Sequence, residues 1–325
     1  MAGFDIIGDI HGYAAELIEL LERLGYRRSA DVYHHGGHAA GQRRRVVFVG
    51  DFIDRGPAQR EVVAIARAMV EAGEALAVMG NHELNALGWA TPDPQQSGTF
   101  LRRHSEKNWK QHRAFVEAYG ADEDGEGGDR EARLDALEWF ASLPLYLELD
   151  GLRVVHACWD DEALDWLRPR LRGDGVMPED LRVEALTSGT TAFTHVETLL
   201  KGKEVRLPEG SRYADSEGTV RHFMRVKWWR ESATYREAFL GPPSAVTHIP
   251  EDPIEGDYQL VYPEDQPPVL VGHYWLQGDP APLTPNVACL DYSVARPGGK
   301  LAAYRWDGEH RLTAANFIHV PRRTA

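Results

Sequence analysis

The chain has 325 residues, 43% of them hydrophobic, a formal net charge of −14 and two cysteines, Cys158 and Cys289. That length falls between one domain and two, and the apolar share is enough for a sizeable core. The acidity argues against a groove that tracks nucleic acid, and two thiols cannot make a disulfide framework, which fits a reducing, cytoplasmic setting. No apolar run reaches the ~18 residues of a membrane helix, and Met1 to Asp5 enters a strand with no basic-then-apolar leader.

In chain order, Phe4-Asp5-Ile6-Ile7 reads as a short buried strand running into Gly8-Asp9-Ile10-His11-Gly12. Ala14 to Leu24 has leucines and an isoleucine at helical spacing, and Gly25 stops it. Residues 26–45 read as a polar loop, with His34, His35 and His38 among glycines. Val46-Val47-Phe48-Val49 is a second apolar strand, ending in Gly50-Asp51-Phe52-Ile53-Asp54-Arg55-Gly56. A helix over Arg60 to Val70 follows, and Ala75 to Met79 is a third strand, leading into a loop Gly80-Asn81-His82-Glu83. Strand, Gly-led polar loop and helix repeat in a βαβαβ order, and right-handed crossovers bring the three loops to one edge of a sheet.

Residues 84–141 read as helical, interrupted by the acidic, solvated stretch Ala121 to Asp129. Pro144–Leu149 and Leu152–Val155 flank Asp150-Gly151, a hairpin signal, and the second strand ends in His156-Ala157-Cys158. Residues 160–268 have weak apolar periodicity and read as an elaboration over the site. Within them, Trp228 and Trp229 beside Arg225 and Lys227 suit either a base-stacking platform or a packed core with a basic rim. Val269-Leu270-Val271 then runs into Gly272-His273, and the late strands 287–291, 300–306 and 313–320 suggest a second, more antiparallel sheet. The expected architecture is therefore α/β: one domain over 1–325, built as two packed sheets with helices outside and insertions at about 85–141 and 160–268.

Five strand ends present Asp9 with His11, Asp51, Asn81, His156 and His273. Carboxylate, imidazole and amide oxygen together suit borderline-to-hard divalent metals. Asp9 and His11, two apart in extended chain, can share one ion, and the two oxygens of Asp51 can bridge two. Ions about 3.5–4 Å apart form a clamp for phosphoryl hydrolysis and lower the pKa of bound water, so that hydroxide attacks phosphorus in line. Asp54 and Arg55 are too costly to bury idle, which fits an acid-orienting carboxylate and a phosphate-holding guanidinium.

The motifs Gly8-Asp9-Ile10-His11-Gly12, Gly50-Asp51-Phe52-Ile53-Asp54-Arg55-Gly56 and Gly80-Asn81-His82-Glu83, in this order and spacing, resemble the calcineurin-like metallophosphoesterase superfamily. The variant is that of the phosphoprotein phosphatases and bacterial diadenosine-tetraphosphatase-like enzymes. The resemblance implies that Asp9, His11 and Asp51 hold one metal, and that Asp51, Asn81, His156 and His273 hold the other. It implies that His82, oriented by Asp54, protonates the leaving oxygen, and that Arg55 grips the phosphate. The implied metals are manganese first, then iron or zinc. Three positions depart from the family pattern: Cys158 after the fourth ligand, Trp275 where many members carry a second histidine, and Ser293 in Leu290-Asp291-Tyr292-Ser293. A second phosphate-binding arginine is expected, with Arg221, Arg225 and Arg230 as candidates, none matching by spacing.

The leading expectation is a phosphomonoesterase of the serine/threonine-phosphatase kind. The alternative is hydrolysis of a dinucleoside polyphosphate or nucleotide. A silent metal-binding scaffold is the reading from another class, and it has no need of His82, Asp54 and Arg55. The expected partners are phosphorylated small molecules, nucleotides or phosphoproteins, without nucleic acid or membrane.

Overall fold

A computed structural model describes residues 3–37, 44–122, 127–214, 218, 220–254 and 261–323. His38 and residues 123–126 of the acidic stretch lie outside the described residues. Two sheets form the centre of the molecule. In the first, Gly3–Ile7 pairs in parallel with Arg44–Phe48, which pairs in parallel with Ala75–Ala77. On its other side Gly3–Ile7 pairs antiparallel with Lys300–Trp306, whose own neighbours are Asp291–Tyr292 and Phe317–Pro321. The second sheet runs Val287–Cys289, Val269–Val271, Leu152–Val155, Tyr146–Leu149, with only the last pair antiparallel.

Alternation of side chains along each strand divides the apolar residues between two faces. Phe4, Ile6, Val47 and Val49 of the first sheet meet Leu152, Val154, Leu270 and Ala288 of the second in one sandwich core. Ile7, Val46 and Phe48, one residue out of phase, belong instead to the cluster that contains Leu17, Leu20 and Leu21 of the helix Ala14–Leu24 and Val62, Ala66 and Met69 of the helix Gln59–Glu71. Val269, Val271 and Val287 join Leu164, Leu167, Leu199 and Leu200 in the same way. The order is helices, sheet, sheet, helices, as expected.

The structure differs from the sequence reading at three places. Residues Tyr26–Ser29 and Val32–His35 form a hairpin rather than a loop, held by the buried Tyr26 against the His35 ring. The third site segment is a helix, Asn81–Ala90, not a loop. Gly80 caps it in extended conformation, and the Glu83 carboxylate accepts the Gly80 N–H at 3.0 Å. The late strands do not build one sheet: Val269–Val271 and Val287–Cys289 complete the second, parallel to each other, while the strands from Asp291 onward return to the first. The chain can change sheets at Leu290 because that side chain is itself in the sandwich core. Of the two readings open for Trp228 and Trp229, the packed core is the one found: both are almost fully buried, with the Trp228 indole N–H donating to the Tyr274 hydroxyl at 3.0 Å, so no base can stack on them.

The 160–268 segment contributes the helices Asp161–Leu167, Glu179–Leu186 and Thr191–Lys201 and a single-turn helix Tyr235–Ala238. It also carries a small cluster of its own around Val205, Met224, Val226, Tyr235 and Phe239. Among the described residues no helix is long and apolar enough to cross a membrane.

Candidate active site

Every segment expected to carry a site residue ends at the same edge of the sandwich. The loop after Gly3–Ile7 is tied to the loop after Arg44–Phe48 by backbone bonds, with Ile10 and His11 N–H both donating to Asp51 O at 3.0 and 2.9 Å. The Asp51 loop is tied to the helix Asn81–Ala90 through one side chain, Glu83. Its carboxylate accepts the N–H of Asp51 at 2.8 Å, of Phe52 at 2.9 Å and of Gly80 at 3.0 Å. Gly50 and Gly80 lie back to back, and a Cβ on Gly80 would overlap the amide nitrogen and Oδ1 of Asp51. Only glycines permit this approach.

Asp51 is at the centre. Its Oδ1 accepts the His82 N–H at 3.0 Å, and its Oδ2 lies 3.4 Å from His156 Nε2, 3.7 Å from His11 Nε2 and 3.9 Å from His82 Nε2. Two sets of buried side chains are spaced to hold a metal ion: His11, Asp51 and His82, and Asp51, His156 and His273. Asp51 belongs to both. Asn81 faces the second set, its Oδ1 standing 2.8 Å from His273 Nδ1 and 3.1 Å from His156 Nε2. Asp9 is in neither set. Its carboxylate is turned to the His273 N–H, with Oδ2 at 3.0 Å.

The donor chemistry fits divalent cations. His11 Nδ1 donates to Ile53 O at 2.9 Å, which leaves Nε2 toward Asp51, buried and without a hydrogen-bond partner; His273 Nε2 is also buried without a partner, while its Nδ1 faces Asn81. A buried imidazole nitrogen with no partner is costly unless something accepts its lone pair. Burial, with the neighbouring His82, pulls the His11 pKa down to about 3, so that lone pair is available. Asp9 and Asp291 are both pushed up, Asp9 by burial and then by Asp291 and Asp51, Asp291 by burial chiefly. Crowded buried carboxylates of this kind are what a cation relieves. Burial disfavours the charge on His156, yet Asp51 and Asp9 outweigh it and hold its pKa up at about 10.

Beside the metal sets lies a separate polar chain. His82 Nδ1 is 2.5 Å from Asp54 Oδ2, and His112 Nδ1 is 3.1 Å from Asp54 Oδ1. Asp54 N–H donates to Gln59 Oε1 at 2.7 Å, so the carboxylate's backbone is fixed as well. Arg55 is exposed at the rim, its guanidinium 4.0 Å from the centre of the Trp275 ring. Arg296 stacks on that ring at 4.3 Å, and two guanidinium groups so close must occupy opposite faces. Trp275 thus takes the place of a further ligand with a stacking platform. Cys158 is fully buried in the helix-side core and burial raises its thiol pKa well up, so it is a small packing residue. Of the candidate second arginines, Arg225 lies near enough for its charge, after burial, to lower the His273 pKa.

Sequence reasoning missed three residues. Glu83 was visible within its motif but without a task. Asp291, which accepts the Trp275 and Ser293 N–H at 2.7 and 2.9 Å, was visible only as part of a closing motif. His112 gave no signal at all, being one polar residue in the helix Glu106–Ala118.

A two-sheet α/β sandwich whose strand ends gather a buried His/Asp cluster able to bind metal defines a class of metal-dependent hydrolases. The calcineurin-like phosphoesterase family matches this chain over residues 3–273, and the chain belongs to that family. Among curated proteins it is similar to the asymmetrical bis(5'-nucleosyl)-tetraphosphatase PrpE of Halalkalibacterium halodurans, 44% identical over 79 residues, 24% of this chain and 30% of that protein. The PrpE of Bacillus subtilis is 38% identical over 81 residues, with the same coverage of 24% and 30%. The chain thus spans under a third of the length of these relatives. Among solved structures, a serine/threonine phosphatase of Saccharomyces cerevisiae aligns at 13% identity over 100% of this chain and 80% of the other, with a TM-score of 0.47.

Proposed function

We propose that this phosphoesterase works with two divalent ions and that its substrate carries a polyphosphate, as in a nucleoside or dinucleoside polyphosphate. The observation that carries the two-ion reading is Asp51, shared by two ligand sets. Asp51 would be shared by both ions; His11, and Asp9 once turned from the His273 N–H, would hold the first, and Asn81, His156 and His273 the second. Manganese is the first choice for this mixture of carboxylate, amide oxygen and imidazole. When bound, such ions supply Lewis-acid polarisation of the phosphate and lower the pKa of a water.

The chain's own groups supply the rest. Arg55, whose guanidinium lies over the Trp275 ring, presents its planar fork to a phosphate oxygen from one side, and Arg225 adds positive charge from the side of His273. His82 delivers a proton to the leaving oxygen, its Nδ1 fixed by Asp54 and its Nε2 turned into the site. The polyphosphate reading now stands ahead of the protein-phosphatase reading that the motifs alone favour. The support is a cavity of about 450 Å³ that opens beside Arg55 and is lined by Lys107, Lys110 and Arg113, with Glu106 opposing them. Three extra cations next to the clamp, in a chain of net charge −14, suit more than one phosphate group. The names of the PrpE relatives point the same way. Two buried thiols support a cytoplasmic setting.

The experiment is a panel on metal-stripped protein reloaded with manganese, using 4-nitrophenyl phosphate, a phosphopeptide and diadenosine tetraphosphate. The dinucleotide should be turned over with the highest kcat/KM. Preference for the phosphopeptide would restore the protein-phosphatase reading, and no turnover of any of them with two ions bound would overturn the two-ion hydrolytic mechanism. His82→Asn should lose about a hundredfold in kcat on esters with poor leaving groups and retain both ions. Loss of an ion would make His82 a ligand, which its distance to Asp51 also allows.

A further inference from the structure

Asp54 has two oxygens, and only one is committed to His82. The other takes a hydrogen bond from a residue 58 positions away, His112 Nδ1, at 3.1 Å, with Oδ2 at 3.4 Å from the same nitrogen. Both histidines must donate, because an ionised carboxylate only accepts. His112 is 2% exposed, and its ring is packed on Trp89 and stacked on Phe115, at 5.6 and 5.2 Å between ring centres. It touches neither metal set. A buried polar ring on an otherwise apolar helix face costs stability unless its hydrogen bond returns something, and here the bond goes to the carboxylate behind the acid.

The geometry points to His112 as a positioning residue that fixes Asp54, and through Asp54 the ring of His82, in the orientation needed to protonate the leaving group. With Oδ1 held by His112 and the backbone N–H held by Gln59, the carboxylate cannot rotate about its Cβ–Cγ bond without breaking a buried hydrogen bond. His82 therefore keeps Nδ1 on Asp54 and Nε2 toward the reacting phosphate. The device spans the insertion: the acid is on Asn81–Ala90, its carboxylate on the Asp51 loop, and the residue that locks both on Glu106–Ala118. This inference rests on the acid role proposed for His82.

The test compares His112→Asn, whose amide N–H falls near the position of Nδ1, with His112→Gln, whose amide falls near Nε2 and leaves Nδ1 unreplaced. On alkyl phosphates, which need protonation, His112→Gln should lose about ten- to a hundredfold in kcat with KM within about twofold, and His112→Asn should recover most of it. On 2,4-dinitrophenyl phosphate, whose leaving group needs no proton, neither should lose more than about threefold. In a His82→Asn background the His112→Gln change should add nothing further. Equal losses on both substrates, or no recovery in His112→Asn, would make His112 a merely structural residue and overturn the inference. A readout independent of turnover is the downfield Nδ1 proton of His82, assigned by its absence in His82→Asn. It should exchange faster with water in His112→Gln and stay protected in His112→Asn; unchanged protection in both overturns the inference even where the substrate assignment has failed.

Discussion

His11, Asp51, Asp54, Arg55 and His273 all have φ between 49° and 72°, a region that costs non-glycine residues energy. Five such residues in one site persist only because their surroundings over-determine them. The Glu83 carboxylate grips three N–H groups across two segments, and Asp51 O accepts two more from the first loop. Gly80 is the point where this constraint is tightest, since any Cβ there meets both Asp51 N and Oδ1. Gly80→Ala should therefore displace the Asp51 carboxylate while leaving the fold intact. Manganese content after dialysis should fall from two ions to one or none, with affinity reduced at least about tenfold and thermal unfolding little changed. A variant that keeps both ions at full affinity would show that Asp51 is not held by that contact. Gly80 was legible in the sequence as a turn glycine, and Asp51 as a strand-end carboxylate. The role of Glu83 was not, because three backbone donors from distant segments converge on it only after folding.

At the scale of elements, the helix Glu106–Ala118 serves two ends. His112, Phe115 and Val116 are its buried residues, and Lys107 and Lys110, one turn apart, line the cavity next to Arg55. Its apolar period was readable, but a period does not say what the buried face touches, so neither task was visible. Lys107→Ala with Lys110→Ala should raise KM for diadenosine tetraphosphate about tenfold at low salt, leave kcat alone, and leave 4-nitrophenyl phosphate kinetics unchanged. The difference should shrink as ionic strength rises. An identical KM for the dinucleotide would remove the cavity from the substrate path. The strands that begin the site loops were easy to read because they are short unbroken apolar runs. Tyr26–Ser29 was missed because a single buried tyrosine followed by Arg27, Arg28 and Ser29 gives no alternation to detect.

The whole molecule depends on closure between its ends. Gly3–Ile7 lies between Arg44–Phe48 and Lys300–Trp306, so the strand that delivers Asp9 is held on one side by residues three hundred positions later. Gly8 N–H, one residue before Asp9, donates to Ala302 O at 3.0 Å. The sequence reading put these late strands in the second sheet, and the strands from Asp291 onward belong to the first, because both sheets draw on the same Val, Leu and Ala vocabulary. What decides the pairing is Asp5. It points to the helix side, is fully buried, and accepts from Arg305 Nε at 2.9 Å, Arg44 Nη1 at 3.3 Å and the Tyr26 hydroxyl at 3.1 Å. One carboxylate thus ties the strands Arg44–Phe48 and Lys300–Trp306 and the Tyr26 hairpin to the first strand. Removing it leaves Arg305 and Arg44 facing a hole, although both reach solvent and recover part of their hydration. Asp5→Ala should cost about 3 kcal/mol of unfolding free energy, less than for a fully enclosed pair, read as a lower denaturant midpoint at unchanged slope. Because Gly8 and Asp9 sit at the end of the same strand, the site should loosen with it, and manganese should protect the variant against unfolding less than it protects the parent. A change below about 0.5 kcal/mol would mean that the β-ladder alone closes the sheet and that the ion cluster only accompanies it.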